Sequence, residues 1–281
     1  MKNTLILFSI IAAALASCNK DDVEPANEKY RLKEANYSSA GDYTKYEYDS
    51  QGRLVKYLSN NYSVLYTYDS QGKLIRMEQN RPLDYEYYNE QYTYSVDGNI
   101  EEMLVRYKDL RYPTENRYRT SYKFNGSKLT ESALYYWVPA TQSWTDGGTT
   151  RYDYNTEGRL LKTNRGNDYM IYSYDNNGNR VEIKYFLLKT GSSNQYYLER
   201  TVTYTYDNKK NIYENLYPNP IKSFGSSPNN YLDIVSKDFD ESGATTNLNT
   251  NTFTYEYNPA GYPIKVSYNN GNSTTYILEK Y

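Results

Sequence analysis

The chain has 281 residues, 32 Lys+Arg against 34 Asp+Glu, no His and a single Cys. The balanced charge leaves no basic field to hold a phosphate backbone, so nucleic-acid binding is excluded as a main role. Without His, and with Cys at one position, there is no base–nucleophile pair of the Ser–His or Cys–His kind, no internal disulfide and no thiolate–imidazole metal site.

The first thirty residues read as delivery. Lys2 precedes an apolar run, Leu5 to Leu15, that is too short to span a bilayer and fits the core of a signal peptide. Leu15-Ala16-Ser17-Cys18 matches the lipobox of bacterial lipoproteins, in which the chain is cut before the Cys and the Cys is acylated. The expected organisation is a signal peptide over 1–17, an acidic tether over 18–30 that begins at lipidated Cys18, and one β domain over 31–281. Lys20-Asp21-Asp22 resembles the acidic tag that directs lipoproteins to the outer face of the outer membrane; the alternative is a plain solvated linker. The membrane, reached through the lipid anchor, is the first expected partner.

From residue 43 onward a unit recurs: Tyr-x-Tyr-Asp-x-x-Gly-x-Leu. The clearest copies are Tyr46 to Leu54 and Tyr66 to Leu74, turning at Asp49/Gly52 and Asp69/Gly72. Further copies turn at Gly98, at Asn155/Gly158, at Asp175/Gly178 and at Gly261, and degraded ones lie at Tyr122–Gly126, at Tyr204–Lys210 and at Phe239–Gly243. In the second of these Lys210 stands where the glycine belongs. Tyr-x-Tyr has period two, so both rings fall on one face of a strand. Asp or Asn opens a turn by accepting nearby amide protons, and Gly three residues later takes the left-handed conformation that reverses the chain. Each copy is a hairpin tip, and the spacing predicts an all-β antiparallel meander of roughly 16 to 20 strands. The sheet is expected to be one large curled surface, a half-barrel or a barrel.

This repeat resembles the Tyr-Asp units of the RHS/YD family and of gut Gram-negative lipoproteins of unknown function that carry degenerate copies. The resemblance covers residues 43–281 and implies a β-ribbon wound into a shell. It supports the hairpin array and says little about activity; no cofactor and no catalytic residue are expected from the composition.

The 39 tyrosines dominate the aromatic content. A transmembrane barrel needs an apolar band alternating along every strand, whereas here Lys, Arg, Glu and Thr alternate with Tyr. The composition leaves an open curled sheet, or a water-soluble barrel or half-barrel that hides the sheet's edges, as the alternatives.

Two stretches break the repeat. Tyr135 to Gly148 holds both tryptophans; Trp137 and Trp144 flank a turn, with Gln142 and Asp146 beside them. The functional reading is an aromatic platform for a sugar ring, with Gln142 and Asp146 fixing hydroxyls. The structural reading is a cross-strand pair that staples a hairpin. The second stretch, Tyr217 to Tyr231, is rich in Pro, Ser and Asn and includes Phe224. Asp175-Asn176-Asn177-Gly178-Asn179 places oxygens as a calcium loop does but lacks the rest of that pattern, and reads as one more turn; no metal site is expected. Glu101-Glu102 point to opposite faces of a strand.

The sequence points to a non-catalytic surface lipoprotein that binds a glycan or an envelope or host protein. A structural envelope protein without a ligand, and a glycoside-active enzyme using a carboxylate pair, are the alternatives.

Overall fold

The computed structural model describes residues 28–281 except 40, 112–113, 215, 219 and 221–226. Cys18, the expected signal peptide over 1–17 and residues 18–27 of the expected tether lie outside the described residues. Eighteen antiparallel strands run from β1 (Tyr30–Tyr37) to β18 (Ser273–Lys280). Each strand pairs with its neighbour in sequence, and β1 pairs with β18 over Tyr30↔Lys280 to Tyr37↔Thr274. The meander therefore closes into a barrel, which leaves no free sheet edge.

Closure sorts the turns onto two rims. The Tyr-Asp turns all fall on one. Gly52, Gly72, Gly98, Gly126, Gly158, Gly178 and Gly261 have φ between 59° and 91°. Where Asp or Asn opens the turn its side-chain oxygen takes backbone amides: Asp49 Oδ1 accepts from Gln51 and Arg53 at 2.9 and 3.0 Å, Asn155 Oδ1 from Glu157 and Arg159 at 3.1 and 2.9 Å, and Asn258 Oδ1 from Tyr262 at 3.0 Å. Asp175 does the same with Asn177 and Asn179, so this oxygen closes the turn. Ser95 Oγ in the Gly98 turn instead donates to Asn99 O at 3.3 Å.

Two of the degraded copies differ from the sequence reading. The Phe239–Gly243 turn has the same local geometry, with Gly243 at φ 87°, but it joins β15 (Asn229–Phe239) to β16 (Thr245–Tyr257) on the opposite rim. A short motif sets a turn type; strand parity sets its end of the barrel. Lys210 is not a turn residue. It is the last residue of β14 (Tyr196–Lys210), paired with Asn229, and the chain leaves the sheet beyond it. Asp207 there accepts from the Asn230 amide at 3.1 Å and from Tyr257, in addition to the amide of Lys209.

The strand period of two gives the wall opposite chemistries on its two faces. Inside lie the paired tyrosines of the repeat with aliphatic residues of the return strands, among them Leu54, Leu74, Ile100, Leu129 and Leu160. Leu74, Tyr92 and Ile100 form one buried cluster, Leu160, Tyr172 and Ile183 a second, and Leu32, Tyr46, Leu54, Val266 and Tyr276 a third. Outside, opposite charges face each other directly across strand pairs. They are Glu34–Lys45 at 3.7 Å, Glu47–Lys56 at 2.9 Å, Glu131–Lys123 at 2.5 Å, Asp238–Arg200 at 2.5 Å and Glu256–Lys265 at 2.7 Å. Each such pair contributes only tenths of a kcal/mol in water. Their value here is diagnostic, because they keep the outer face polar all round.

The tightest turn makes the clearest test. Gly72 has φ 82°, and a Cβ there would lie 3.1 Å from Arg53 Nη1. Gly72→Val is expected to destabilise the barrel by about 1–3 kcal/mol, because a β-branched residue resists that conformation. A thermal melt superimposable on wild type would remove the turn from the account.

Candidate functional site

The tryptophan hairpin joins β9 (Lys128–Val138) to β10 (Ser143–Tyr154), on the rim opposite the Tyr-Asp turns. Trp137 and Trp144 are direct cross-strand partners, with ring centroids 5.4 Å apart and planes at 66°. Register fixes their side. Ser132 faces inward and bonds Tyr152 at 2.8 Å, whereas Glu131, on the alternate set, reaches Lys123 on the outer face. Tyr135 and Trp137 belong with Glu131, so the pair stands on the outer surface, half-buried.

Guanidinium groups lie over these rings. Arg119 Cζ is 5.1 Å from the centre of Trp144 and 4.8 Å from that of Tyr135, and Arg117 Cζ is 5.8 Å from Trp137. Glu115 gathers the neighbouring charges: it accepts from Arg106 at 2.9 and 3.0 Å, and from Arg117 and the Tyr87 hydroxyl. The hydrogen bond from Arg106 holds the Glu115 carboxyl well below its ordinary range, at about 2.

The other two residues singled out from sequence are placed differently. Asp146 is exposed, two residues along β10 from Trp144, and its Oδ1 accepts from the Gly148 amide at 2.8 Å. Gln142 sits in the turn at φ 49°, exposed at the tip. The structure thus brings Trp137, Trp144 and Asp146 onto one outer face and sets Gln142 at the apex. An edge-to-face pair in cross-strand register is what the stapling reading describes. The outer indole surfaces, ringed by Arg117 and Arg119, are what the platform reading needs.

The described residues just before and at the start of the second stretch form a plug. Between β14 and β15 the chain folds back into the barrel at the Tyr-Asp rim. Asn211 closes its neck, with its amide N–H donating to Pro228 O at 3.0 Å and its side chain to Ser227 O at 2.8 Å. Ile212 is buried against the third core cluster, with Tyr213 and Leu216 packed beside it. Tyr213 meets Tyr276 edge-on at 5.8 Å, and Tyr217 meets Tyr57 at 6.0 Å and bonds the Tyr46 hydroxyl at 3.3 Å. Phe224 lies outside the described residues. Desolvation raises the Tyr46 and Tyr213 hydroxyls far above the ordinary tyrosine value, and Tyr217 to about 12. Between plug and wall lies a cavity of about 750 Å³.

Two further features were open to sequence reasoning. Glu90 falls on the same face of β6 (Tyr85–Tyr94) as Tyr88 and Tyr92 and accepts from both hydroxyls, at 2.9 Å from Tyr88. Period-two counting along Tyr88-Asn89-Glu90-Gln91-Tyr92 would have placed this acid inside. The second is the cation that follows the turn glycine, by one residue at Gly52, Gly72 and Gly158 and by two at Gly126. Arg53 lies 4.5 Å over Tyr68, Lys73 5.2 Å over Tyr94, Lys128 5.7 Å over Tyr154 and Arg159 5.8 Å over Tyr174. Aligning the copies would have exposed that position.

No protein-family model and no curated protein matches the chain. Among solved structures it is similar to a porin-like protein from Bacteroides vulgatus ATCC 8482, at 14% identity over 89% of this chain and 98% of that one, with a TM-score of 0.48. A porin-like protein from Bacteroides uniformis ATCC 8492 gives 14% identity over 88% and 98%, with a TM-score of 0.41. The Photorhabdus luminescens Tc holotoxin pore gives 12% identity over 80% of this chain and 14% of that one, with a TM-score of 0.32. Each likeness is weak, and what this barrel does has to be read from its own residues.

Proposed function

We propose that the protein is a lipid-anchored, non-catalytic binding module of the outer membrane whose barrel stands in water on the cell surface. The observation that carries this is the outer face. Directly opposed ion pairs such as Glu47–Lys56 and Glu256–Lys265 recur around the wall. A lipid-facing band would strip water from all of them, and an Arg or Lys on that face is destabilising by roughly 2–4 kcal/mol at the midplane, an acid by less. The exposed apolar residues on this face, among them Leu65, Leu161 and Ile277, are scattered singly between polar ones. The lipobox at Leu15-Ala16-Ser17-Cys18 supplies the attachment that the wall does not. The resemblance of the repeat to the RHS/YD family supports a shell built for holding or presenting.

The ligand surface in this reading is the outer tryptophan hairpin. Its indoles, with Asp146 beside them, suit the C–H face and hydroxyls of a sugar, and Trp, Tyr and Arg together are the residues that dominate protein interfaces as well. A second reading, a structural envelope protein with no ligand, draws on the edge-to-face Trp137–Trp144 contact, which is sufficient to staple the hairpin without any partner.

Fractionation tests the anchor. The wild-type protein is expected in the membrane pellet after a carbonate wash and in the detergent phase after extraction. Cys18→Ala, which removes the chain's one acylation site, is expected in the soluble fraction, folded. Retention of Cys18→Ala in the washed membrane would mean that the barrel itself is embedded in lipid.

A glycan array tests the surface. Wild type is expected to bind, and the Trp137→Ala/Trp144→Ala double variant to lose binding. Its stability should fall by about 0.5–1.5 kcal/mol beyond the lost apolar area, the worth of one aromatic pair. Unchanged binding by the double variant, or none by wild type, moves the assignment to the structural reading.

A further inference from the structure

The cavity between plug and wall has a chemistry of its own. Its wall side is backed by Leu32, Leu54 and Leu74, all nearly fully buried, and its plug side by Leu216 and Pro218. At about 750 Å³ it falls within the range of small-molecule sites. Three cations of the repeat line it: Arg31, Arg53 and Lys73. Two are already neutralised. Arg31 lies 2.6 Å from Glu279 and Arg53 2.6 Å from Asp49.

Lys73 is different. Asp69, which occupies the place that Asp49 has beside Arg53, gives its Oδ1 to the amides of Gln71 and Lys73. The Lys73 ammonium rests 5.2 Å above the Tyr94 ring, with no carboxylate within ion-pair distance among the described residues. A single uncompensated cation on an apolar-backed cavity favours an anion there, because the low-dielectric wall strengthens the attraction. Among the described residues Glu214, exposed on the plug, is the acidic side chain lining the cavity, and it disfavours multiply charged ligands.

We propose that this cavity binds an amphipathic monoanion, an acyl or aryl carboxylate or sulfonate. Its charged head sits on Lys73 and its apolar body lies between Leu54, Leu74 and Leu216. The site is separate from the tryptophan hairpin, which stands on the opposite rim, and it does not rest on the binding role proposed for that hairpin.

The probe is 8-anilinonaphthalene-1-sulfonate, titrated into the full chain in its Cys18→Ala form so that no acyl group of the protein competes for the dye. Saturable binding at one site per chain is expected, displaced by decanoate and not by decanol. Lys73→Met is expected to weaken the dye at least about tenfold, as loss of one partly desolvated charge contact implies. Lys73→Arg should keep binding. Lys128→Met removes the equivalent cation over Tyr154, does not line this cavity, and should change nothing. Leu216→Glu puts a charge on the plug side of the cavity, leaves Lys73 in place, and should abolish binding even if Lys73→Met folds poorly. Equal affinity in wild type, Lys73→Met and Leu216→Glu would overturn the proposal, as would displacement by decanol as effective as that by decanoate, or an absence of saturable binding by the wild type.

Discussion

One contact recurs between successive repeats. In the copies that end at Tyr48, Tyr68, Tyr94 and Tyr206 the second tyrosine sends its hydroxyl to the backbone carbonyl of the preceding return strand, whereas Tyr257 donates to Asp207 and Phe124 has no hydroxyl. Tyr68 donates to Leu54 O, Tyr94 to Leu74 O and Tyr206 to Arg180 O, each at 2.7 Å, and Tyr48 donates to Leu32 O at 2.5 Å. The cation next to that carbonyl then lies over the same ring: Arg53 over Tyr68, Lys73 over Tyr94, Arg31 over Tyr48. Ring, hydroxyl and cation form one rung, and the rung needs Tyr, Gly and Arg or Lys at fixed places in successive copies. Gly is part of it because the cation passes over the next turn: a Cβ on Gly52 would lie 3.6 Å from Arg31 Nη1.

The rung also decides which face of the wall is which. With both tyrosines of each copy committed inward, the alternate positions are left to face outward, and they are Lys, Glu, Thr and Arg. A barrel of this strand number has room inside, and tyrosine fills it economically, because the ring packs while the hydroxyl finds a carbonyl or another hydroxyl. Burial accordingly raises the Tyr68 and Tyr94 hydroxyls to about 12, so they stay protonated donors well into alkaline solution. The plug completes the packing at the Tyr-Asp rim with Ile212, Tyr213 and Tyr217. The opposite rim is uneven, because β9 and β10 have 11 and 12 residues where β3 (Leu54–Ser59) and β4 (Ser63–Tyr68) have 6 each.

Much of this was legible from sequence because the signals are local. The turn at Asp69–Gly72 is written in four residues, and the inward face of β2 (Tyr43–Tyr48) in the spacing of Tyr46 and Tyr48. What could not be read depends on parity or on distant pairing. Phe239–Gly243 looks like any other copy, yet one additional strand places it on the opposite rim. The Tyr204–Lys210 copy ends without a turn because Asp207 is held by Asn230 and Tyr257, residues far along the chain. Closure was equally hidden: Arg31 and Leu32 act as the return strand of a repeat that the first strand shares with the last, and no Tyr-Asp turn precedes them. The tryptophan pair was visible as a pair, but its outward side follows from the register of β9, which a bulge opposite Lys123 and Phe124 shifts by one residue.

The rung itself is open to a direct measurement. Equilibrium unfolding of Tyr68→Phe, Arg53→Met and the double variant separates the hydroxyl, the cation and their coupling. Removing only the hydroxyl leaves the Leu54 carbonyl without that donor, and the expected loss for Tyr68→Phe is about 1–3 kcal/mol. The expected coupling with Arg53→Met is at least about 0.5 kcal/mol, since both act on the same ring. A Tyr68→Phe variant as stable as wild type, with effects that simply add in the double variant, would contradict the claim that this contact holds the repeats together.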